Sequence, residues 1–237
     1  MISVITGGIS GIGKVIATTL RSRGDEIYTT SRRKIADTHH ISIDLTTRKG
    51  IMQICEEFRG MFIDNLIFTH RYRGESWSAD YQLTLKSVDN LIHGLENSLG
   101  VGTSIIILGS KASNLIFSEQ SLSYHLTRGA LESMTRYYAV NLGRKGIRCN
   151  CVIPGFVMKP ENEEFWQDAS NPMRTMIEEI TPLGRMSRSE DVAQLVRFLC
   201  SQEAQNITGQ CIVIDGGLSL VAQENIGRQR LLQDGNN

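Results

Sequence analysis

The sequence predicts an α/β fold in which helices cover both faces of a parallel sheet. Short apolar runs alternate with segments of helical periodicity along the chain, and this alternation is typical of parallel sheets covered on both faces. The chain has 237 residues, 41% of them hydrophobic, which is ordinary for one large globular domain. No repeat, linker or low-complexity stretch interrupts the pattern.

Seven apolar runs are short enough to be strands of this sheet. In chain order they are Ile2–Thr6, Glu26–Thr30, His40–Ile43, Asn65–Thr69, Thr103–Gly109, Arg148–Ile153 and Cys211–Asp215. Between them, apolar residues recur at helical spacing and predict helices. These are Gly11–Arg23, Thr47–Phe58, Ala79–Leu99, Leu122–Leu142, Glu163–Ile180 and Glu190–Cys200. Because Leu122–Leu142 is apolar on more than one face, we expect it to pack on two sides.

Charge and composition exclude several classes of protein. Lys and Arg number 25, as do Asp and Glu, so no basic surface favours nucleic acid or an anionic membrane as partner. No apolar run approaches the roughly 18–20 residues of a membrane helix, and the residues before the first strand do not predict a secretory signal. The five cysteines lack zinc or CxxC spacing, which predicts reduced thiols in a cytoplasmic protein and no metal site.

A glycine-rich turn follows the first predicted strand and opens the first helix. It reads Thr6-Gly7-Gly8-Ile9-Ser10-Gly11-Ile12-Gly13. Glycines in this setting permit a tight turn and a close approach to a pyrophosphate, and the helix N-terminus offers free N–H groups. A purely structural turn is the alternative, but the strand–turn–helix order favours a nucleotide site. The candidate contacts are Gly7, Ile9, Ser10, Gly11, Ile12 and Gly13.

Later motifs complete a resemblance. They are Asp44-Leu45, Ser110, Tyr124 four residues before Arg128, Ile147–Asn150, Pro154–Val157, Ile207–Gly209 and Ile214–Gly217. In this order, and with the spacing of the glycine turn, the chain resembles the short-chain dehydrogenase/reductase family, and in particular its 3-oxoacyl-acyl-carrier-protein-reductase-like members. The resemblance implies one Rossmann-like, doubly wound domain over residues 1–220 around a seven-stranded parallel sheet. It also implies a substrate flap near 156–180 and a C-terminal tail over 221–237.

The resemblance implies a nicotinamide dinucleotide across the carboxyl ends of the strands. Ser31-Arg32-Arg33 follows the second strand, and guanidinium groups there favour the 2′-phosphate of NADP(H) over NAD(H). An exposed basic turn is the alternative. The family's further cofactor positions correspond here to Asp44, Leu45, Thr69, His70, Tyr124, Arg128, Pro154, Gly155 and Val157.

Four residues are candidates for catalysis: Ser110, Tyr124, Arg128 and Thr84. Hydride transfer to a carbonyl carbon needs a proton for the oxygen, which a phenol supplies when a nearby cation stabilises its ionised form. The spacing of four residues places Tyr124 and Arg128 on one helix face. The family has Lys at the position of Arg128 and Asn at that of Thr84, so proton relay departs from the family pattern. It also has Asn-Asn-Ala-Gly where this chain has Phe68-Thr69-His70-Arg71.

The sequence therefore predicts an NADP(H)-dependent oxidoreductase, and more narrowly a ketoreductase, that acts on a small molecule. The alternative is a cofactor-binding homologue that has lost the redox step and serves binding or regulation; a structural domain without dinucleotide ranks below both. A group of basic side chains near the open edge of the sheet suggests an anionic substrate: Lys159, His70, Arg71, Arg73 and Lys111. The alternative is that they are scattered cations in contact with solvent. The helices Ala79–Leu99 and Leu122–Leu142 are expected to form a homodimer or homotetramer. The short connection Lys34–Ile41 predicts that no helix joins the second and third strands.

Overall fold

The structure, a computed structural model, describes residues 1–168 and 170–234. Its strands are β1 (Ile2–Thr6), β2 (Glu26–Ser31), β3 (His40–Ser42), β4 (Asn65–Phe68), β5 (Ser104–Leu108), β6 (Arg148–Pro154), β7 (Val157–Met158), β8 (Ser187–Arg188) and β9 (Cys211–Ile214). Seven of them form one parallel sheet in the order β3-β2-β1-β4-β5-β6-β9. The predicted seven-stranded sheet is confirmed. Its strand order reverses between β1 and β4, which is where ligands bind in open α/β sheets.

Helices pack on both faces of the sheet. The α-helices of the described chain are α1 (Gly11–Ser22), α2 (Arg48–Glu57), α3 (Trp77–Tyr81), α4 (Ser87–Gly94), α5 (Leu122–Gly143), α6 (Glu163–Gln167), α7 (Pro172–Ile180), α8 (Ser189–Leu199) and α9 (Gln223–Asp234). Of these, α2, α4 and α5 cover one face of the sheet, and α1 and α8 cover the other. Successive strand residues point to opposite faces. Val4 therefore joins an apolar cluster with α2, α4 and α5, whereas Ile5 joins a second cluster with α1 and α8. Two buried cores, one on each face, hold the sheet.

The predicted helix Ala79–Leu99 is not one continuous α-helix. It begins at Trp77, and a π-helical segment, Gln82–Lys86, separates α3 from α4. Side chains engage the Leu83 carbonyl within this wide turn: Ser87 Oγ donates to it at 2.5 Å, and His70 Nε2 lies 2.9 Å from it. The His70 contact comes from the end of β4, so the apolar periodicity of the segment itself carries no signal of it.

The predicted helix Glu163–Ile180 is divided into α6 and α7. Pro172 stands at the first position of α7, where its missing N–H costs nothing. The side chain of Asn171 accepts hydrogen bonds from the N–H groups of Met173 and Arg174 and so caps the new start. The expectation of one helix was wrong because this local start signal outweighs the continuous apolar periodicity.

The connections agree with the remaining expectations. Residues 32–39 contain no helix, as the short connection predicted. Beyond the sheet, β7 and β8 pair in parallel and anchor the segment after β6. The tail contains α9, and its last residues, 235–237, lie outside the described part of the chain. Among the described helices, we find none with the length and apolarity that a membrane crossing requires.

Candidate active site

A cleft of about 1100 Å³ opens at the carboxyl ends of the central strands. Its lining includes every residue that the sequence analysis assigned to the cofactor, and three of the four assigned to catalysis. These are Gly7, Ile9, Ser10, Gly11, Ile12, Gly13, Ser31, Arg32, Arg33, Asp44, Leu45, Thr69, His70, Ser110, Tyr124, Arg128, Pro154, Gly155 and Val157. Thr84 is not part of the lining. The cleft is large enough for a dinucleotide together with a small molecule.

The glycine turn has the backbone shape that its sequence suggests. Gly7 and Gly11 adopt left-handed φ angles of 78° and 53°, which side chains other than glycine rarely tolerate. A Cβ at Gly13 would lie 2.6 Å from the Gly7 carbonyl oxygen, so the start of α1 packs directly on the turn. The first N–H groups of α1 thus face the cleft without helical partners. This cradle fits a pyrophosphate.

The end of β2 carries the proposed selectivity residues. Arg32 and Arg33 are exposed and line the cleft, and neither forms an ion pair with a carboxylate of the described chain. Ser31 Oγ accepts the N–H of Arg33 at 3.1 Å and shapes this turn. Hydrogen bonds from Thr46 lower the pKa of the Asp44 carboxyl, and the charge of Arg32 adds to the effect.

Tyr124 and Arg128 form a stacked pair on α5. The guanidinium carbon of Arg128 lies 4.5 Å from the centroid of the Tyr124 ring, close enough for a cation–π interaction. Ser121 caps α5 by accepting the N–H of Tyr124 at 3.2 Å. Ser110, at the end of β5, lines the same cleft. The structure therefore brings a phenol, a cation and a hydroxyl to one place.

Arg128 is 3% exposed, and two of its nitrogen atoms, Nε and Nη2, have no hydrogen-bond partner among the described residues. Burial lowers its pKa, while the charges of Tyr124 and Asp80 oppose that effect; a guanidinium nonetheless keeps its proton in proteins. Nε and Nη2 share one edge of the guanidinium, a fork that matches two neighbouring oxygen atoms. The vicinal hydroxyls of a ribose would satisfy both donors.

Thr84 contributes to a buried network instead of lining the cleft. Its hydroxyl donates to Asp80 Oδ1 at 2.7 Å. Asp80, which is 2% exposed, also accepts hydrogen bonds from Ser123 and Thr127 of α5 at 3.2 and 3.4 Å. Sequence reasoning did not single out Asp80. The signal was its position four residues before Thr84, which places both on one helix face.

Two of the cations suggested for an anionic substrate have partners inside the protein. Burial lowers the pKa of His70 to about 4, so its imidazole is neutral, with Nδ1 2.6 Å from Thr6 Oγ1. Lys111 forms a buried ion pair with Asp215 at 3.3 Å. Arg71, Arg73 and Lys159 line the cleft. In the described residues, no group of His, Cys, Asp and Glu side chains could hold a metal ion.

Comparisons with known proteins decide the family. The family model for Enoyl-(Acyl carrier protein) reductase matches residues 65–219, more than half of the chain. A tropinone reductase homologue of Arabidopsis thaliana is 30% identical over 92% of this chain and 93% of its own length. A short-chain dehydrogenase family protein from Francisella tularensis has a similar structure, with a TM-score of 0.80 at 27% identity, covering 93% of this chain and 99% of that one.

The chain belongs to the short-chain dehydrogenase/reductase family. It is an oxidoreductase of that type, and the family's cofactors are nicotinamide dinucleotides. The ligand-free aldohexose dehydrogenase of Thermoplasma acidophilum shares the fold alone, with a TM-score of 0.82 at 23% identity over 94% of this chain and 95% of its own. The glycine cradle, the open fork of Arg128 and the size of the cleft all fit such a cofactor.

Proposed function

We propose that this short-chain dehydrogenase/reductase is an NADP(H)-dependent ketoreductase. The observation that carries the proposal is the meeting of Tyr124, Arg128 and Ser110 in the cleft that begins at the glycine turn. The bound nicotinamide supplies or accepts the hydride. In the reducing direction, the Tyr124 hydroxyl gives its proton to the carbonyl oxygen, and the Ser110 hydroxyl donates a hydrogen bond to that oxygen. Arg128 stabilises the phenolate that remains, through its stacked position.

Replacing Tyr124 with Phe tests the chemical step. We expect the single-turnover oxidation of bound NADPH by a panel of ketones and enones to slow by about 100-fold or more, because proton transfer contributes that much. Tyr137→Phe is the matched control, since Tyr137 lies on the same helix and is 59% exposed. Turnover that survives Tyr124→Phe would remove this phenol from the mechanism. Cofactor binding with no hydride transfer by the unmodified protein would instead indicate the binding or regulatory alternative, which the reductase and dehydrogenase relatives do not favour.

The positive charge at the end of β2 supports our proposal that the protein prefers NADP(H) over NAD(H). Arg32 and Arg33 have no carboxylate partner in the described chain, and guanidinium groups bind phosphate dianions through charged hydrogen bonds. We expect Arg32→Asp to weaken NADP⁺ by about 10-fold or more in calorimetry and NAD⁺ far less. Arg144→Asp, on the exposed end of α5, controls for net charge. An equal loss for both cofactors would refute the assignment.

We further propose that the protein assembles as a homodimer or homotetramer through its two long helical regions, residues 79–99 and 122–142. The exposed side of α5 supports this, because it carries Leu122, Leu126, Tyr137 and Val140, with Val140 78% exposed. Apolar side chains on one helix face are costly in water and favour a partner surface. Light scattering that gives a monomer mass would contradict the assembly. An anionic substrate stays a prediction, with Arg73 at the cleft as its candidate contact.

A further inference from the structure

Three charged side chains line the cleft on segments next to the glycine turn: Arg71, Lys159 and Glu161. Arg71 follows His70, whose backbone N and Cα lie 3.0 Å from the point where a Cβ of Gly7 would be. On the other side, an oxygen of the Glu161 carboxylate lies 3.0 Å from the corresponding point at Gly11. The chain after β4 and the flap therefore meet the turn from two sides.

Arg71 and Lys159 line the same cleft, and the charge of Arg71 influences Lys159. Burial lowers the pKa of Lys159, and the positive charge of Arg71 lowers it further, whereas Glu161 opposes the shift. Lys159 is half-buried, and its N–H donates to Asn162 Oδ1 at 2.8 Å, which fixes the local turn. Within the described residues, neither cation forms an ion pair. Two cations that line the same cleft and lack an ion-pair partner in the described residues favour an anionic ligand.

Arg128 provides an independent observation in the same cleft. Its buried Nε and Nη2 atoms lack partners among the described residues; burial lowers the pKa of its guanidinium, and the charge of Arg71 adds to this effect. The positive field of Arg71 thus extends from the glycine turn to the catalytic pair. An anion placed between Arg71 and Lys159 would stabilise all three cations.

Glu161 indicates where that anion lies. Its carboxylate stands at the N-terminal end of the 12-residue helix α1, where free N–H groups and the helix dipole attract negative charge. The same place is the cradle that suits a pyrophosphate. A flap carboxylate therefore occupies the position that the ligand's own negative charge would take. The Glu161 carboxylate and a pyrophosphate cannot both occupy this place, because two negative charges so close together repel each other.

We propose that Arg71 and Lys159 form a second, ionic side of the pyrophosphate site, and that the carboxylate of Glu161 competes with the pyrophosphate for this site. The proposal rests on the proposed function, since the ligand is the nicotinamide dinucleotide. Its pyrophosphate brings two negative charges between two cations and displaces one carboxylate. Cofactor entry then requires the flap segment around Glu161 to move away from the glycine turn.

Titration calorimetry with three ligands tests the proposal. NADP⁺ and NAD⁺ both contain the pyrophosphate, whereas adenosine 2′-phosphate does not. We expect Lys159→Met and Arg71→Met each to weaken NADP⁺ and NAD⁺ by a similar factor of about 10, the value of one charge-assisted contact, and to leave adenosine 2′-phosphate within about twofold. Glu161→Gln should tighten both dinucleotides by about threefold, because the competing charge is gone. Lys86→Met, an exposed lysine outside the cleft, is the control.

Each other outcome overturns the inference. Unchanged dinucleotide affinity in both methionine variants, an equal loss for adenosine 2′-phosphate, or a rise in substrate KM with cofactor affinity unchanged would each assign these cations elsewhere. Weaker binding by Glu161→Gln would show that the carboxylate does not compete. Misfolding would not make Glu161→Gln bind the dinucleotides more tightly. This variant therefore tests the proposal even if the two methionine variants are unstable. Absence of dinucleotide binding by the unmodified protein would refute the proposed function itself.

Discussion

Replacing Asp80 with Asn should destabilise the protein, because this buried carboxylate ties α3 and the π-helical segment to α5. It accepts hydroxyl hydrogen bonds from Thr84, Ser123 and Thr127 at 2.7, 3.2 and 3.4 Å. A hydrogen bond to a charged acceptor contributes about 1.5–3 kcal/mol, and the two long ones contribute less. Asn keeps the shape and part of the hydrogen bonding. We therefore expect the free energy of unfolding to fall by about 2 kcal/mol, which lowers the melting temperature by about 4–8 °C.

Part of this fall in the free energy of unfolding should come from the lost attraction between Asp80 and Arg128. The negative charge of Asp80 favours the charged guanidinium of Arg128, which is only 3% exposed. A double-mutant cycle of Asp80→Asn and Arg128→Met, followed by urea unfolding without cofactor, should give a coupling energy of about 1 kcal/mol. Thr84→Val is the control, since it removes one hydrogen bond to Asp80 and should cost about 1.5–2 kcal/mol. Additivity within about 0.5 kcal/mol, or an Asp80→Asn variant as stable as the original, would refute the reasoning.

Two further predictions concern buried charge. Because the pKa of His70 is about 4 when folded and about 6.5 when unfolded, only the unfolded chain gains a proton between these values, so stability falls as pH drops through that window. Urea unfolding should show the original protein losing about 2 kcal/mol more than His70→Asn between pH 7.5 and 5; equal losses would count against a neutral buried imidazole. Lys111→Met should cost about 3 kcal/mol by leaving the Asp215 carboxylate buried and unpaired, whereas Lys86→Met at the exposed pair with Asp89 should cost less than about 1 kcal/mol. Similar costs in these two variants would contradict the argument from burial.

The architecture was predictable because its signals are local. The seven predicted strand segments are short and rich in apolar or β-branched residues, and all seven lie in the sheet. Consecutive residues such as Val4 and Ile5 point to opposite faces, so a strand apolar throughout implies helices on both sides. The two broken helices were not predictable in the same way. The π-helical segment at Gln82–Lys86 contacts His70, which lies more than ten residues earlier in the chain and so gives no local signal.

In the candidate site too, features with a local sequence signal were predictable and contacts between distant residues were not. Spacing alone placed Tyr124 and Arg128 on one helix face, and the structure stacks them. By contrast, the pairing of Lys111 with Asp215, 104 residues apart, has no local signal, and it removes Lys111 from the candidates for binding an anionic substrate. The assignments of the individual site residues stay predictions, which the binding and turnover experiments test.

By itself, the sequence determined a doubly wound parallel sheet with a glycine turn at the start of its first helix, because period, chain order and glycine content are properties of neighbouring residues. Only the tertiary structure decided which charges are free to meet a ligand. Whether a cation is solvated, paired or left with open donors depends on side chains from distant segments, as Asp80 near Arg128 and Glu161 over the glycine turn illustrate. Electrostatic energy depends on distance and burial in space, and sequence spacing sets neither beyond one helical turn.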